Sequence, residues 1–187
     1  VVKPLSLLLA QQFQLSVCAA VAVRGFLTKY AGEEVKIKWP NDLYWQDRKA
    51  GGILIESVIR SSETGDSSWE WSIIGIGINI NQTAFPIYLP NPVSLKQITG
   101  KSFDTVSLAK EICDELNRKF SELITDGFEK IYASYLTHLY KINSTVKLKK
   151  DNRVFEAVIK GVTPTGRLIV YHSIEEEFEF GEVEWVI

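Results

Sequence analysis

The sequence predicts an α+β fold, with a larger domain at residues 1–140 followed by a small β module at 141–187. Three observations carry this prediction. Alternating apolar and charged residues between Val35 and Glu56 indicate a β-hairpin, and segments on both sides of it repeat their apolar residues with a helical period. After Lys141, five short strand-like segments are separated by turn residues without a helical period, which is typical of a small barrel-like module.

The first predicted element is a helix from Pro4 to about Tyr30. Proline fits the first turn of a helix, and apolar residues recur at helical spacing along this segment. The stretch from Leu15 to Val23 is apolar almost all round, so we expect the helix to be buried on most sides. Gly32 supplies the signal that ends it.

The predicted hairpin follows this helix. The alternation from Val35 to Trp39 is the period-2 pattern of a half-buried strand, and the next residue, a proline, ends it because proline cannot donate to a ladder. The strand restarts at Leu43. After a polar tip, Gly52 is expected to open the return strand, predicted over residues 53–60.

A polar loop is predicted over residues 61–68, and the strand after it, Trp69 to Asn81, has an unusual pattern. Successive side chains of a strand point to opposite faces, so one face is a wall of isoleucines and the other is bare backbone. Glycine weakens a strand, and two glycines on one face indicate close approach by a ligand or another backbone. Gly75, Gly77 and Asn79 share one parity, and Ile74, Ile76, Ile78 and Ile80 share the other.

The remaining elements are predicted from caps, breakers and periodicity. A short helical turn is expected within residues 94–100, and Asp104 is the predicted N-cap of an amphipathic helix. Gly127 breaks this helix, and a second one continues to about Tyr140. In the C-terminal module we predict strands around residues 146–148, 154–162, 167–172, 177–180 and 182–186.

Composition and charge argue against several classes of function. The net charge of −2 leaves no basic excess to indicate nucleic acid as the main partner. The two cysteines lie far apart without metal-type neighbours, which favours a reducing compartment, the cytoplasm. The apolar run at 15–23 is too short to cross a bilayer, so we expect no membrane partner. Neither His138 nor His172 has a partner at metal or triad spacing, and no metal-ligating residue is predicted.

Judged from the residues alone, a few side chains are candidates for ligand contact. Each of them also has a simpler explanation as an ordinary structural residue. Lys49 precedes Ala-Gly-Gly, and these small neighbours leave its ammonium a path to an anionic ligand, although a solvated hairpin lysine is the commoner case. Asp42 beside Asn41 also fits turn chemistry. The amide of Asn79 suits the edge of a planar ring lying over the glycines. Trp39 also fits a core position.

Two motifs resemble the signature of biotin protein ligases. Lys36-Ile-Lys-Trp-Pro-Asn-Asp42, followed by Arg48-Lys-Ala-Gly-Gly-Ile-Leu-Ile-Glu56, resembles the long first motif of that family. Gly75-Ile-Gly-Ile-Asn79 resembles its third motif, at the matching distance downstream, and the module after Lys141 resembles its C-terminal domain. The resemblance implies a class II synthetase-like domain with a mixed sheet and helices, completed by a small SH3-like β-barrel.

The resemblance also implies a reaction. ATP and biotin, with Mg²⁺, form biotinyl-5′-adenylate, and biotin then passes to a lysine of a biotin carboxyl carrier domain. Lys49 and Asp42 are the implied catalytic residues: the lysine bridges the biotin carboxyl and the α-phosphate, and the aspartate orients or deprotonates the acceptor amine. The residues implied to bind substrate or nucleotide are Trp39, Asn41, Lys49, Gly51, Gly52, Gly75, Gly77 and Asn79.

The family also has an upstream glycine- and arginine-rich loop that closes over biotin, and the 187 residues contain no such loop. A polypeptide that starts at Val1 is therefore expected to have weak ligase activity or none. One alternative is a lipoate ligase, with a related fold and the same adenylate chemistry, against which the Trp-Pro-Asn-Asp form argues. A second is a non-catalytic sensor of biotin or its adenylate that forms a homodimer through a sheet edge, and a third is an inert fragment.

Overall fold

The helices and strands of this chain form two antiparallel sheets around one shared hydrophobic core. The computed structural model describes residues 1–4, 7–61 and 67–186. The helices are α1 (Gln12–Ala31), α2 (Leu95–Thr99), α3 (Thr105–Asp126) and α4 (Phe128–Thr137), and the strands are β1 (Val35–Lys38), β2 (Asp42–Trp45), β3 (Arg48–Ser61), β4 (Ser67–Ile78), β5 (Thr145–Lys150), β6 (Arg153–Val162), β7 (Leu168–His172), β8 (Ile174–Phe178) and β9 (Glu184–Val186).

The first sheet has the strand order β1-β2-β3-β4, with every neighbour antiparallel. The predicted sheet was mixed. Among the described residues, its parallel pairings are isolated bridges, such as the one between Ile37 and Leu139. The isoleucines of β4 are partly buried and pack on the core, whereas Gly75 and Gly77 are exposed. The predicted α+β class and the division of β4 into two different faces are therefore confirmed.

The hairpin between β2 and β3 is tighter than the sequence predicts. We expected the return strand to open at Gly52, but β3 begins at Arg48, and only Gln46 and Asp47 form the turn. Gln46 adopts a left-handed conformation with φ of 52°, as tight hairpin turns require. Lys49 therefore lies within a strand instead of on a loop, and its backbone is fixed by the sheet.

Helix α1 is buried on most sides, as predicted, but it begins at Gln12 and not at Pro4. The backbone of Leu8 is extended, and a single 3₁₀ turn at Leu9–Gln11 leads into the helix. Before it, Val2 exchanges two backbone hydrogen bonds with Ser72 at the edge of β4. The first residues are thus held by the sheet. Residues 5 and 6 of the predicted helix lie outside the described residues.

The helix signals predicted after β4 are confirmed, since a short helix lies within residues 94–100 and Asp104 is the N-cap of α3. Ser94 caps α2 in a reciprocal arrangement with Gln97, and the Asp104 carboxylate accepts from two backbone N–H groups of α3. Gly127, with φ of 85°, separates α3 from α4. Helix α4 stops at Thr137 instead of near Tyr140 because the following chain hydrogen-bonds along β1.

The second sheet has the order β8-β7-β6-β5-β9 and packs against the rest of the chain. The Trp39 indole donates to the carbonyl of Gly166 at 2.9 Å, and Tyr132 donates to the carbonyl of Val162. Its last two strands differ in extent from the prediction: β8 spans Ile174–Phe178 and β9 spans Glu184–Val186. The domain boundary at residue 141 and the SH3-like closure of this sheet stay predictions.

Two further predictions concern a loop and the membrane. Most of the polar loop predicted at 61–68 lies outside the described residues, which resume at Ser67. Within the described ranges, none of the helices combines the length and apolar character needed to cross a membrane.

Candidate functional site

Four residues, one from each strand of the first sheet, lie side by side across it. Lys38 of β1 pairs with Asp42 of β2. Asp42 pairs in turn with Gly52 of β3, and Gly52 with Gly77 of β4. Residues directly opposite each other in antiparallel strands share a face. The row therefore places two charged side chains next to two positions that have none.

Lys49 reaches this row through an irregularity in β3. Leu43 pairs with Gly51 and Tyr44 with Lys49, so Ala50 is an extra residue in the register. A bulge of this kind redirects the neighbouring side chain. The Lys49 ammonium lies 2.6 Å from the Asp42 carboxylate, with 39% of the lysine side chain and 22% of the aspartate side chain exposed. The cation is thus fixed by one partner and still open to solvent.

The backbone of Lys49 is held from the side opposite β2. Its N–H donates to the carbonyl of Asn91, and its carbonyl accepts from the N–H of Val93, both at 2.9 Å. The same carbonyl accepts from the Asn79 amide at 3.3 Å. Asn79, predicted to contact a ligand directly, therefore also positions the lysine. The segment around Asn91 was not singled out from the sequence, because only these long-range contacts reveal its role.

The glycines of the two motifs differ in their surroundings. A Cβ on Gly77 would meet no atom within 4 Å, and one on Gly75 would meet Leu54 at 3.5 Å. A Cβ on Gly51 would stand 2.6 Å from the carbonyl oxygen of Gly77, so Gly51 serves close packing of β3 on β4. We call the surface formed by Gly52, Gly75 and Gly77 the glycine face. Gly77 leaves this surface open, Gly75 borders the exposed Leu54, and Gly52 lies beside the Asp42–Lys49 pair.

Two predicted binding residues lie at a different place. Asn41 donates its amide to the carbonyl of Ile53 at 2.6 Å, which fixes the turn that precedes Asp42. Trp39 is only 3% exposed, and its indole contacts Gly166 of the second sheet. The structure thus brings Asp42 and Lys49 to the glycine face with Asn79, but it does not bring Trp39 there. The physical reason is that Trp39 is directed into the core between the sheets.

Lys38 is a member of the site that the sequence pattern did not indicate. Alternation places it on the outward side of β1, yet its residue is only 8% exposed. Burial lowers the pKa of the Lys38 ammonium, Asp42 acts in the opposite direction, and Lys49 lowers it further. Lys38, Asp42 and Lys49 therefore form one interacting group of charges.

The arrangement suits a planar, negatively charged ligand. A flat backbone surface accepts a ring, and the adjacent ammonium attracts an anion and stabilises charge that develops on it. Over the described parts of the chain, no three His, Cys, Asp or Glu side chains cluster in a way that would hold a metal ion. The carboxylate of Asp42 adds an acceptor for an incoming amine or hydroxyl.

Comparison with known proteins gives matches in both sequence and fold. Residues 2–79 match the model of the biotin/lipoate A/B protein ligase family. The chain is 30% identical over 160 residues to the bifunctional ligase/repressor BirA of Bacillus spizizenii, covering 84% of this chain and 48% of that protein. It is 27% identical over 164 residues to the biotin–[acetyl-CoA-carboxylase] ligase of Paracoccus denitrificans, covering 84% of this chain and 66% of the relative.

A solved structure gives the same result for the fold. The biotin protein ligase of Aquifex aeolicus, in complex with biotin and ATP, superposes with a TM-score of 0.74 at 22% identity, covering 94% of this chain and 72% of the other. This chain spans about half the length of the first curated relatives that it matches. The resemblance to biotin protein ligases that the two motifs predict is thereby confirmed, in sequence by the matched family and in architecture by the shared fold.

Proposed function

We propose that this chain forms the catalytic part of an enzyme that uses ATP to ligate biotin to a lysine of a carrier protein through biotinyl-5′-adenylate. The observation that carries the proposal is the Lys49 ammonium, held 2.6 Å from Asp42 beside the open glycine face. The match of residues 2–79 to the ligase family and the ligands of the Aquifex aeolicus structure support the choice of substrates.

In the first step, a biotin carboxylate oxygen attacks the α-phosphorus of ATP, and pyrophosphate leaves. Two anions must approach each other, and charge grows on the leaving group. Lys49 lies where a cation lowers that repulsion and stabilises the transition state. Mg²⁺ bound to the triphosphate would balance the charge of the departing pyrophosphate.

In the second step, the carrier lysine attacks the acyl carbon of the adenylate, and AMP leaves. The attacking amine must lose a proton, and a carboxylate within hydrogen-bond reach can accept it. We assign this role to Asp42, whose side chain is 22% exposed and therefore open to an incoming amine. Because Asp42 also pairs with Lys49, one carboxylate serves both half-reactions.

The adenine of the nucleotide is proposed to lie on the glycine face. Stacking of a planar base on bare backbone requires that no Cβ intervenes, a condition that Gly75 and Gly77 meet. Asn79 donates its amide N–H to Lys49, so we propose that its carbonyl oxygen accepts from the adenine amino group. Asn79 would then connect base recognition with the position of the catalytic lysine.

The proposal is tested by incubating the intact protein with ATP, Mg²⁺, biotin and a carrier domain, and detecting biotin on the carrier by mass spectrometry. A carrier whose acceptor lysine is replaced by arginine serves as the control. Transfer of biotin to the first carrier alone is the expected result. If the intact, folded protein neither exchanges pyrophosphate into ATP nor labels the carrier, the proposal is wrong.

The matched family also contains lipoate ligases, so lipoate is the second candidate substrate. Competition between lipoate and biotin in one reaction distinguishes the two, and we expect biotin to be used. We also propose a carrier domain as the protein partner, with a homodimer still a prediction. A reducing cytoplasm is supported by the free thiols of Cys18 and Cys113.

A further inference from the structure

Lys38 is a buried lysine at the edge of the proposed site. It lies opposite Asp42 in the register of β1 and β2, and its residue is 8% exposed. Its ammonium donates to the hydroxyl of Tyr44 at 3.3 Å and lies 4.8 Å from the centre of the Tyr44 ring. A buried ammonium requires compensating contacts, and an aromatic face supplies one.

The second sheet contributes another face of this environment. Trp185 of β9 places its ring centre 5.2 Å from the Lys38 ammonium. Tyr140 lies between the two aromatic residues, 5.0 Å from the Tyr44 ring and 5.8 Å from the Trp185 ring. Two rings from separate parts of the chain therefore contact the cation and Tyr140 packs against both of them, and we call the three rings the aromatic box.

The indole N–H of Trp185 does not help to place its ring, while the backbone of Trp185 pairs with Leu148 of β5. The indole N–H is buried and has no hydrogen-bond partner in the part of the chain that the structure describes. An unpaired buried donor is unfavourable, so hydrogen bonding does not explain why this ring occupies the position. The contacts of the ring with Lys38 and Tyr140 explain its position.

Lys38 also affects the catalytic pair electrostatically. Asp42 acts on Lys38 as an attractive charge and Lys49 as a repulsive one. The Asp42 carboxylate forms an ion pair with Lys49 at 2.6 Å, and Lys38 lies opposite it in the register of β1 and β2. Without Lys38, Asp42 would have Lys49 as its sole cation in this group, and the tighter pair would leave the Lys49 ammonium less able to turn to an anionic ligand.

We propose that Lys38 is a positioning residue for the adenylation site, and that Trp185 of the second sheet holds it in place. Lys38 acts through Asp42 and Lys49 and does not itself contact the substrate. The second sheet thereby contributes to the site without supplying a group that reacts. This inference rests on the proposed ligase function, which wild-type exchange activity tests separately.

The test compares two isosteric substitutions on β1 in the intact protein. Lys38→Met removes the buried charge, whereas Lys36→Met removes a charge that interacts electrostatically with Glu33 and His138. ATP–pyrophosphate exchange is measured with biotin and Mg²⁺. We expect Lys38→Met to lower kcat by about tenfold, which corresponds to about 1.4 kcal/mol of activation free energy, with a smaller change in KM for ATP. Lys36→Met should match the wild type, and Lys38→Arg should recover most of the loss because it keeps a cation over the rings.

Trp185 is tested by a matched pair and a double variant. Trp185→Leu removes the ring, whereas Trp185→Phe keeps a ring and deletes the unpaired N–H, so only the first should lower kcat. Because Trp185 acts through Lys38, the double variant Lys38→Met/Trp185→Leu should be no worse than Lys38→Met alone. Thermal unfolding of each variant separates a loss of activity from a loss of fold, and Trp185→Leu serves as the test where Lys38→Met does not fold.

The outcomes separate this inference from the proposed function. A wild-type protein without exchange activity contradicts the proposed function and the role of Lys38 together. If the wild type is active and the kcat of Lys38→Met equals that of Lys36→Met, the positioning role alone is contradicted. Where Lys38→Met does not fold, a wild-type kcat in Trp185→Leu contradicts it. Fully multiplicative losses in the double variant contradict the link through Trp185.

Discussion

Gly52 and Asp42 approach each other so closely that a Cβ at position 52 would stand 3.0 Å from the aspartate oxygen Oδ1. That oxygen is the one paired with Lys49. The same Cβ would lie 3.7 Å from the Lys49 ammonium. The absence of a side chain at Gly52 is therefore part of the geometry of the proposed catalytic pair.

Gly52→Ala should displace this pair while leaving the sheet intact. We expect pyrophosphate exchange to fall by about a hundredfold, the loss typical of a small misplacement of reacting groups. The unfolding free energy should change by less than about 1 kcal/mol, because the added methyl contacts flexible side-chain ends. Exchange kinetics and urea denaturation on the same sample measure both. Normal exchange in the variant would contradict this geometry.

Lys49→Ala removes the cation from the proposed reaction centre. Adenylate formation should fall by about 10²- to 10³-fold, as expected for the loss of one preorganised charge that stabilises the transition state. The measurement is single-turnover formation of biotinyl-5′-adenylate. Lys101→Ala, at an exposed position, is the control. If the two variants react equally fast, Lys49 has no part in the chemistry.

Gly77→Val tests the glycine face without disturbing the fold. A Cβ at this position would meet no atom within 4 Å, and valine suits a strand better than glycine does. The unfolding free energy should therefore stay the same or rise by up to about 1 kcal/mol. Affinity for a non-hydrolysable adenylate analogue should fall at least tenfold, about 1.4 kcal/mol. Calorimetry measures this affinity, and unchanged binding would place the ring of the ligand elsewhere.

Gly51→Ala should give the opposite result. Its Cβ would lie 2.6 Å from the carbonyl oxygen of Gly77 and 3.3 Å from the backbone of Ile78. Strand β3 must then move away from β4, at an expected cost of about 1–3 kcal/mol in unfolding free energy. Urea denaturation measures it. A variant as stable as the wild type would mean that the two strands are not so tightly paired.

Local sequence signals predicted much of the fold. Asp104 and Gly127 mark helix ends through their own side chain or backbone, and both were placed correctly. The alternation of Gly75 and Gly77 with isoleucines identified both faces of β4 in advance. Such signals come from residues that are close together in the chain, so they can be found from a single sequence.

Features set by distant residues were not predicted. Helix α4 ends early because the chain after it pairs with Ile37. Lys38 is buried because Trp185 covers it from the second sheet, whereas alternation alone placed it in solvent. The motif resemblance found Lys49 and Asp42, but the bulge at Ala50 that brings them together has no local sequence signal.

The two cysteines should differ sharply in reactivity. Burial raises the pKa of the Cys18 thiol to about 12, and its residue is 2% exposed, whereas Cys113 on α3 is exposed. The thiolate is the reactive form, and a pKa near 12 leaves roughly one part in ten thousand ionised at pH 8. Raising the pH toward 12 increases that fraction, so labelling of Cys18 should speed up with pH for as long as the fold persists.

At pH 8 we therefore expect a bulky aromatic disulfide reagent to modify one thiol of the native protein quickly and the second only after denaturation. Cys113→Ser should abolish the fast phase, and Cys18→Ser should leave it unchanged. Mass spectrometry of the labelled peptide identifies the residue in each phase. Fast labelling of Cys18 in native protein would contradict this prediction and show that the cavity between α1, α3 and β4, which both cysteines line, admits the reagent.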